Sequence, residues 1–206
     1  MQHLGSKTME TPRLLLRPFR VEDAPAMFRN WAADPVVMEF VTRPLYPTEE
    51  AVRGLLERWA ADVPNPAVYR WAIVLKELGE PIGSIAAIPE ERTDSAEFGW
   101  CIGKSWWGRG IMPETAAAVF AFLFDEVGMN RLEARHDTRN TRSGRVMQKL
   151  GMTLEGVLRR AGRSNAGISD VAVYSLLRSE YLARGGRSGL LTTGSRAVPG
   201  TDGADN

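Results

Sequence analysis

Gly108 and Gly110 flank Arg109 just ahead of the helix-forming run IMPETAAA. Glycines at a helix N-terminus let backbone N–H groups close around an anion, and a pyrophosphate is the natural guest. Pro113 suits the first helical position, where its missing N–H costs nothing. A P-loop needs four residues between its first Gly and Gly-Lys-Ser. Gly103-Lys104-Ser105 is present, but Phe98 holds the required first position and Ser105 does not open the helix. A dinucleotide fingerprint needs G-x-G-x-x-G, and here Pro113 stands where the third Gly belongs. A purely structural glycine turn is the plain alternative.

Two other groupings invite chemistry. Asn140 and Ser143 are spaced i,i+3 at the head of a helical run, so they share a face, and Asn140 suits an N-cap. Cys101, His136 and Asp137 suggest a covalent nucleophile. However, His136 and Asp137 adjoin on a strand and point to opposite faces, and a lone Cys in an apolar strand is ordinarily inert core.

Composition narrows the field. The chain has 206 residues, 44% hydrophobic and 25% charged, which suits one soluble domain with its own core. One Cys and two His argue against a disulfide framework, a Cys-rich zinc site or a multi-His cage, so no metal is expected. Nothing approaches the ~20 apolar residues of a membrane span, and the first residues lack a signal-peptide core. The expectation is a reduced, cytoplasmic protein without a membrane partner. The formal net charge of +1 argues against a dedicated nucleic-acid binder. That total hides an asymmetry, because residues 1–130 carry 13 basic and 18 acidic residues whereas residues 131–206 carry 13 and 7. Arg139, Arg142 and Arg145 fall in the basic part, on the helix after Asn140.

The elements that must position these residues alternate between periods of 2 and 3.6. Residues 1–10 are polar and unpatterned and read as a flexible arm. Arg13–Arg20 reads as a strand, followed by a helix from Glu22-Asp23 through Trp31 that ends before Pro35. A second helix follows, with Thr48 as its N-cap and Val52, Leu55, Leu56 and Trp59 as its apolar stripe. Tyr69–Lys76, Pro81–Ile88 and Ala96–Ile102 read as three strands joined by turns too short for parallel crossovers, hence as antiparallel hairpins. Pro113–Val127 is helical, Arg131–Asp137 a strand, Thr141–Leu150 a helix, and Met152–Arg160 and Asp170–Leu177 the last strands. Residues 183–206 are glycine-rich without aromatic side chains and read as a disordered tail. The fold class is α/β, a mixed, mostly antiparallel sheet flanked by helices.

This order of elements and its motifs resemble the GNAT superfamily of acyl-CoA-dependent N-acyltransferases. Its pyrophosphate loop, Gln/Arg-x-x-Gly-x-Gly/Ala, appears here as Ser105-Trp106-Trp107-Gly108-Arg109-Gly110, with Ser105 replacing the usual Gln or Arg. TPRLLLRPFRVEDA, PIGSIAAI, AEFGWCIGKSWWGRGIMPET and NRLEARHDTRNTRSGRVMQKLGMTLEGVLRR resemble successive segments of the Rim-type branch, the ribosomal-protein N-terminal acetyltransferases and their relatives. The resemblance spans residues 11–182.

The resemblance implies a sheet splayed between its fourth and fifth strands, with the pantetheine arm of acetyl-CoA in the gap. Trp100, Cys101 and Ile102 would face that arm through their backbone. Trp107, Gly108, Arg109, Gly110, Ile111 and Met112 would hold the coenzyme, joined by Asn140, Ser143 and Arg145. Ser143 matches the residue that protonates the departing thiolate in Rim-type enzymes. Many other members place a Tyr at the position of Met147, which cannot donate a proton. Glu97, on the fourth strand, is the first candidate for general base, and Glu155 the second. Some Rim-type enzymes carry a Glu where this chain has Gly162. The acceptor amine would enter between residues 34–47 and a hairpin at residues 159–169. Related branches acylate protein N-termini, lysines and small amines; some use succinyl-CoA, and a homodimer is compatible with the family. A coenzyme-binding sensor without turnover would need the same loop.

Overall fold

A computed structural model describes residues 1–192 of the chain. Eight strands make one sheet: β1 (Met9–Glu10), β2 (Leu14–Arg17), β3 (Tyr69–Leu75), β4 (Glu80–Glu90), β5 (Ser95–Ile102), β6 (Arg131–Asp137), β7 (Thr153–Ser164) and β8 (Gly167–Leu177). They lie in the order β1-β2-β3-β4-β5-β6-β8-β7. Short connections fold β3, β4 and β5 into antiparallel hairpins, as their spacing requires, and β6–β8 and β7–β8 are antiparallel too. Only β5 and β6 run parallel. The expected fourth and fifth strands are therefore β5 and β6, since the short β1 precedes them.

The parallel pairing is brief. It runs from Ser95↔Arg131 to Phe98↔Ala134 and then stops. Past that point Gly99–Ile102 remain paired to β4, and Arg135–Asp137 remain paired to β8. Each strand follows its antiparallel partner, so the sheet opens into the expected splay. Alternate backbone groups of β5 beyond Phe98 point away from β4 into this opening, where no strand takes them up.

Helices cover both faces. On one lie α1 (Ala24–Met27), continued by a wider turn to Ala32, α2 (Pro35–Met38) and α3 (Glu49–Asp62). Phe19, Trp31, Leu56 and Trp59 pack there against Ala72 and Val74, with Phe19 and Trp59 rings 5.1 Å apart. On the other lie α4 (Ile111–Phe122), continued to Val127, α5 (Thr141–Lys149), α6 (Arg178–Ala183) and α7 (Arg187–Thr192). Here Trp71, Phe98, Phe120, Leu132 and Met147 form the larger core, and the Phe98 and Phe120 rings are 4.7 Å apart. No helix among the described residues is long and apolar enough to cross a membrane.

Several local expectations change. Thr48 does cap α3, accepting from Ala51 N at 3.2 Å. Pro35, expected beyond a helix end, instead opens α2, because Asp34 Oδ1 accepts from Val36 N at 2.8 Å. Helix α4 begins at Ile111 rather than Pro113, so the proline sits in the third position. Its missing N–H is still one of the amides that a first turn leaves unbonded. The last hairpin is longer than expected, with strands meeting at Asn165-Ala166. It tolerates this through a bulge in which Arg160 adopts φ 51° and donates its N–H to Asp170 Oδ1 at 2.8 Å.

Residues 1–10 were expected as an arm. They instead follow the open edge of β3, because β2 is too short to pair with Tyr69–Trp71. Ser6 Oγ accepts from Arg70 N at 2.7 Å and donates to Val68 O at 2.9 Å, and Trp71 Nε1 donates to Lys7 O at 2.7 Å. Each bond to a buried group contributes about 1 kcal/mol, which a reading of polarity alone does not register. At the other end, α6 docks through Tyr181, whose hydroxyl donates to Asp125 Oδ2 at 2.7 Å, and Leu190 of α7 is buried. The expected tail thus begins inside the packed part of the chain; residues 193–206 lie outside the described residues.

Candidate active site

A cleft of about 1000 Å³ occupies the opening between β5 and β6, lined by side chains from both faces of the sheet. At one end stands the glycine turn. Gly108 and Gly110 have φ of 75° and 72°, a region that side-chain-bearing residues avoid. Gly110 caps α4, whose first intrahelical bond is Glu114 N to Gly110 O at 3.2 Å. The amides of Ile111 and Met112 therefore have no acceptor within the helix, and both residues line the cleft.

A clamp from the N-terminal strand fixes this turn. Glu114 accepts from Thr11 Oγ1 at 2.6 Å and from Arg13 Nε at 2.7 Å, while Arg13 Nη1 donates to Arg109 O at 2.9 Å. Burial pushes the Glu114 carboxyl up, but the Thr11 and Arg13 bonds outweigh it and hold the group below its ordinary value. Nothing local in the sequence signals this clamp, since its partners lie about a hundred residues apart. Arg109 contributes a carbonyl to the clamp and does not line the cleft.

Trp107 closes the same end. Its indole N–H donates to Ile102 O at 2.8 Å, and the Arg142 guanidinium lies 4.4 Å from the ring centre. Arg142 and Arg145 project into the cleft mouth from α5, placing positive charge beside the anion cradle. Trp106 and Trp107 both pack against the larger core and line the cleft.

The middle of the cleft is the tip of β5, where Trp100, Cys101 and Ile102 all line the opening. Across it, α5 presents Asn140 and Ser143. Asn140 Oδ1 accepts from Ser143 N at 3.3 Å, so the cap uses the Ser143 backbone and leaves its hydroxyl free of that role. Met147 is buried in the core. Glu97 lies at the lip of the opening, half-exposed, its carboxylate 3.5 Å from Arg135 Nε. Glu155, the second base candidate, is elsewhere. It binds Arg131 and Ser175 outside the cleft, and the Arg131 contact holds its carboxyl down at about 2. Gly162 does line the cleft, but a Cβ there would come 2.4 Å from Val171 Cγ2. A glutamate at that position would require the Val171 side chain to move.

The Cys101–His136–Asp137 constellation does not assemble. Cys101 packs toward the α1–α3 face, whereas His136 lies against Gly144 of α5 on the other. His136 Nδ1 contacts the Asp137 carbonyl at 2.8 Å, and the Asp137 carboxylate is taken by Arg139 at 2.7 Å. His136 is only half satisfied, since its Nε2 is buried without a partner. Burial pushes the Cys101 thiol up to about 12. Cys101→Ala is therefore expected to keep kcat within about 2-fold. Wild-type protein at pH 8 should resist iodoacetamide, as read by mass spectrometry.

The far end is walled by the two expected segments. Asn165 at the hairpin tip donates through Nδ2 to Met38 O and Arg43 O, each at 2.8 Å, and Ala166 N donates to Glu39 O at 2.9 Å. Asp137 braces this wall through Arg139, which reaches Ala166 O. The Arg139 bonds pull the Asp137 carboxyl from 3.8 down to about 2. A depressed carboxylate stabilises the fold above its unfolded value and loses that contribution as pH falls through the folded one. The melting-temperature gap between wild type and Asp137→Asn should thus be full at pH 6 and close as pH falls from about 4 toward about 2. Among the described residues no cluster of His, Cys, Asp or Glu could hold a metal ion.

Comparison with known proteins agrees with this geometry. A family model described as "Acetyltransferase (GNAT) domain" matches residues 13–153. An uncharacterized N-acetyltransferase of Bacillus licheniformis, p20, is 28% identical over 176 residues, covering 85% of this chain and 98% of its own. Another from Bacillus subtilis, YoaA, is 30% identical over 172 residues, covering 82% and 96%. The solved structure of Mycobacterium smegmatis RimJ in complex with CoA-disulfide shares the fold at a TM-score of 0.74 and 22% identity, over 87% of this chain and 95% of that one. The chain belongs to the GNAT family of acetyltransferases, and RimJ is among the proteins that share its fold.

Proposed function

We propose that this protein transfers the acetyl group of acetyl-CoA directly to a primary amine in a ternary complex, the amine being a protein N-terminus, a lysine or a small amine. The opening between β5 and β6 carries the reading, because it has an anion cradle at one end and a walled polar pocket at the other. The residues present fit the coenzyme. The amides of Gly108, Gly110, Ile111 and Met112 would hold its pyrophosphate, with Arg142 and Arg145 adding charge. The β5 backbone groups of Trp100 and Cys101 that point away from β4, with Ile102 beyond them and Asn140 opposite, would line the place for its pantetheine arm. When bound, acetyl-CoA supplies an activated acyl thioester.

The chain's own residues do the rest. A β5 amide facing the opening donates to the carbonyl oxygen as negative charge grows there. Glu97 accepts the proton of the ammonium form through water, exposing the nitrogen lone pair. An α-amine with a pKa near ~8 needs little more help than that. Ser143 Oγ, or a water it holds, gives a proton to the departing sulfur. The protein works in the cytoplasm, without a nucleic-acid or membrane partner.

Release of CoA thiol from acetyl-CoA, measured against a panel of peptides, polyamines and small amines, tests this reading. Amine-dependent release supports it. Tight coenzyme binding with no turnover on any amine would make the protein a sensor, and faster turnover with succinyl-CoA would replace the donor.

A further inference from the structure

The walled end of the cleft holds two guanidinium groups that the transfer reaction does not use. Arg70 projects from β3 and Arg43 from the loop after α2, and both lie over the indole of Trp59, at 4.4 and 4.6 Å from the ring centre. Both line the cleft. Arg70 Nε and Nη1 are buried and make no hydrogen bond. The nearest carboxylate, Asp62, is 3.7 Å from Nη1 and half-exposed. Arg43 has no carboxylate partner among the described residues. Burial, then the neighbouring Arg43 charge, push the Arg70 guanidinium below its ordinary value, as befits two cations short of counter-charge. Buried N–H donors left unpaired are costly, and two planar forks stacked on an indole are suited to an oxyanion.

The floor between this pair and the opening is bare. Arg70 is opposite Ala86 on β4, and Ala86 is opposite Gly99 on β5. A Cβ on Gly99 would meet nothing within 4 Å. Two strand spacings, about 10 Å, separate the Arg70 backbone from the edge where Glu97 stands. An arginine side chain spans most of that distance.

We propose that the acceptor is a small amine bearing a carboxylate, its carboxylate held by Arg43 and Arg70 over Trp59 while its amine reaches the opening beside Glu97. The proposal rests on the acetyltransferase reading and names the substrate class of that site. Asp62 offsets about one of the two positive charges, so a monoanion matches the pocket better than a dianion.

The test compares glycine, L-alanine, β-alanine and γ-aminobutyrate, each with its own amide, in wild type and in Arg43→Gln, Arg70→Gln and Arg70→Lys. Wild type should favour at least one acid over its amide by about 10-fold or more in kcat/KM. That is the opposite of the order set by amine basicity, since the amides hold more free base at neutral pH. The ratio should fall toward one in the Gln variants and only in part in Arg70→Lys, with the acetyl-CoA KM unchanged. Arg43 is exposed, so its variant reports even if Arg70→Gln folds poorly. Equal use of acids and amides would overturn the proposal. So would a preference for O-phosphoethanolamine over β-alanine, which would assign the pair to a phosphate. So too would a preference for acidic peptides over every free acid, which would deny the small acceptor. Calorimetry on the CoA-bound protein reads the same contrast without turnover. Acids that bind through Arg43 and Arg70 but are never acetylated would overturn both the acceptor assignment and the acetyltransferase reading, whereas acetylation of amines with no preference for a carboxylate would overturn the acceptor assignment alone.

Discussion

Gly110→Val is expected to weaken acetyl-CoA binding by about 100-fold, equivalent to about 2.7 kcal/mol. Two effects combine. The residue holds φ 72°, and a β-branched side chain there strains the backbone by about 1–2 kcal/mol or forces the turn to move. Either outcome reorients the first amides of α4, which must converge on the pyrophosphate to be worth anything. The Thr11–Arg13–Glu114 clamp prevents the turn from relaxing as a whole. Gly79 provides the control, because it has φ 69° in a turn that does not line the cleft. Gly79→Val should cost comparable stability and leave the calorimetric Kd for acetyl-CoA unchanged. Equal weakening in both variants would mean that strain, and not the cradle, is being measured.

Ser143→Ala is expected to lower kcat by about 100-fold while the acetyl-CoA KM stays within about 2-fold, the signature of an interaction made only as the thiolate leaves. The substitution is a clean probe for a structural reason. Helix α5 is capped by Asn140 through the backbone N–H of Ser143, which alanine keeps. Asn140→Ala would instead remove the cap and about 1 kcal/mol with it, confusing folding with chemistry. Ser143→Thr retains the hydroxyl and should restore part of the rate. A full rate in Ser143→Ala would remove the residue from the proton transfer.

Much of the cleft was legible because its signals are local. Gly108 and Gly110 sit ahead of a helix, Asn140 and Ser143 are one turn apart, and hairpin-length gaps force β3, β4 and β5 into antiparallel order. The splay follows from two antiparallel ladders pulling one short parallel pair apart. What was not legible depends on partners distant in the chain. Polar residues 1–10 gain order only because β2 leaves the edge of β3 open. Glu155 reads as a plausible base from its local sequence, but Arg131, 24 residues away, holds it outside the cleft. The stack of Arg43 and Arg70 on Trp59 joins a loop, a strand and a helix, and no periodicity reports it.

Burial holds the thiol of the chain's one cysteine, Cys101, well above its ordinary value, and direct transfer forms no acyl-enzyme. Intact-mass spectrometry of the protein after incubation with acetyl-CoA, with and without an accepting amine, measures it most directly. An unchanged protein mass is expected in both samples, with acetylated amine and free CoA appearing only when amine is present. A protein heavier by one acetyl group at Cys101, released when amine is added, would contradict it.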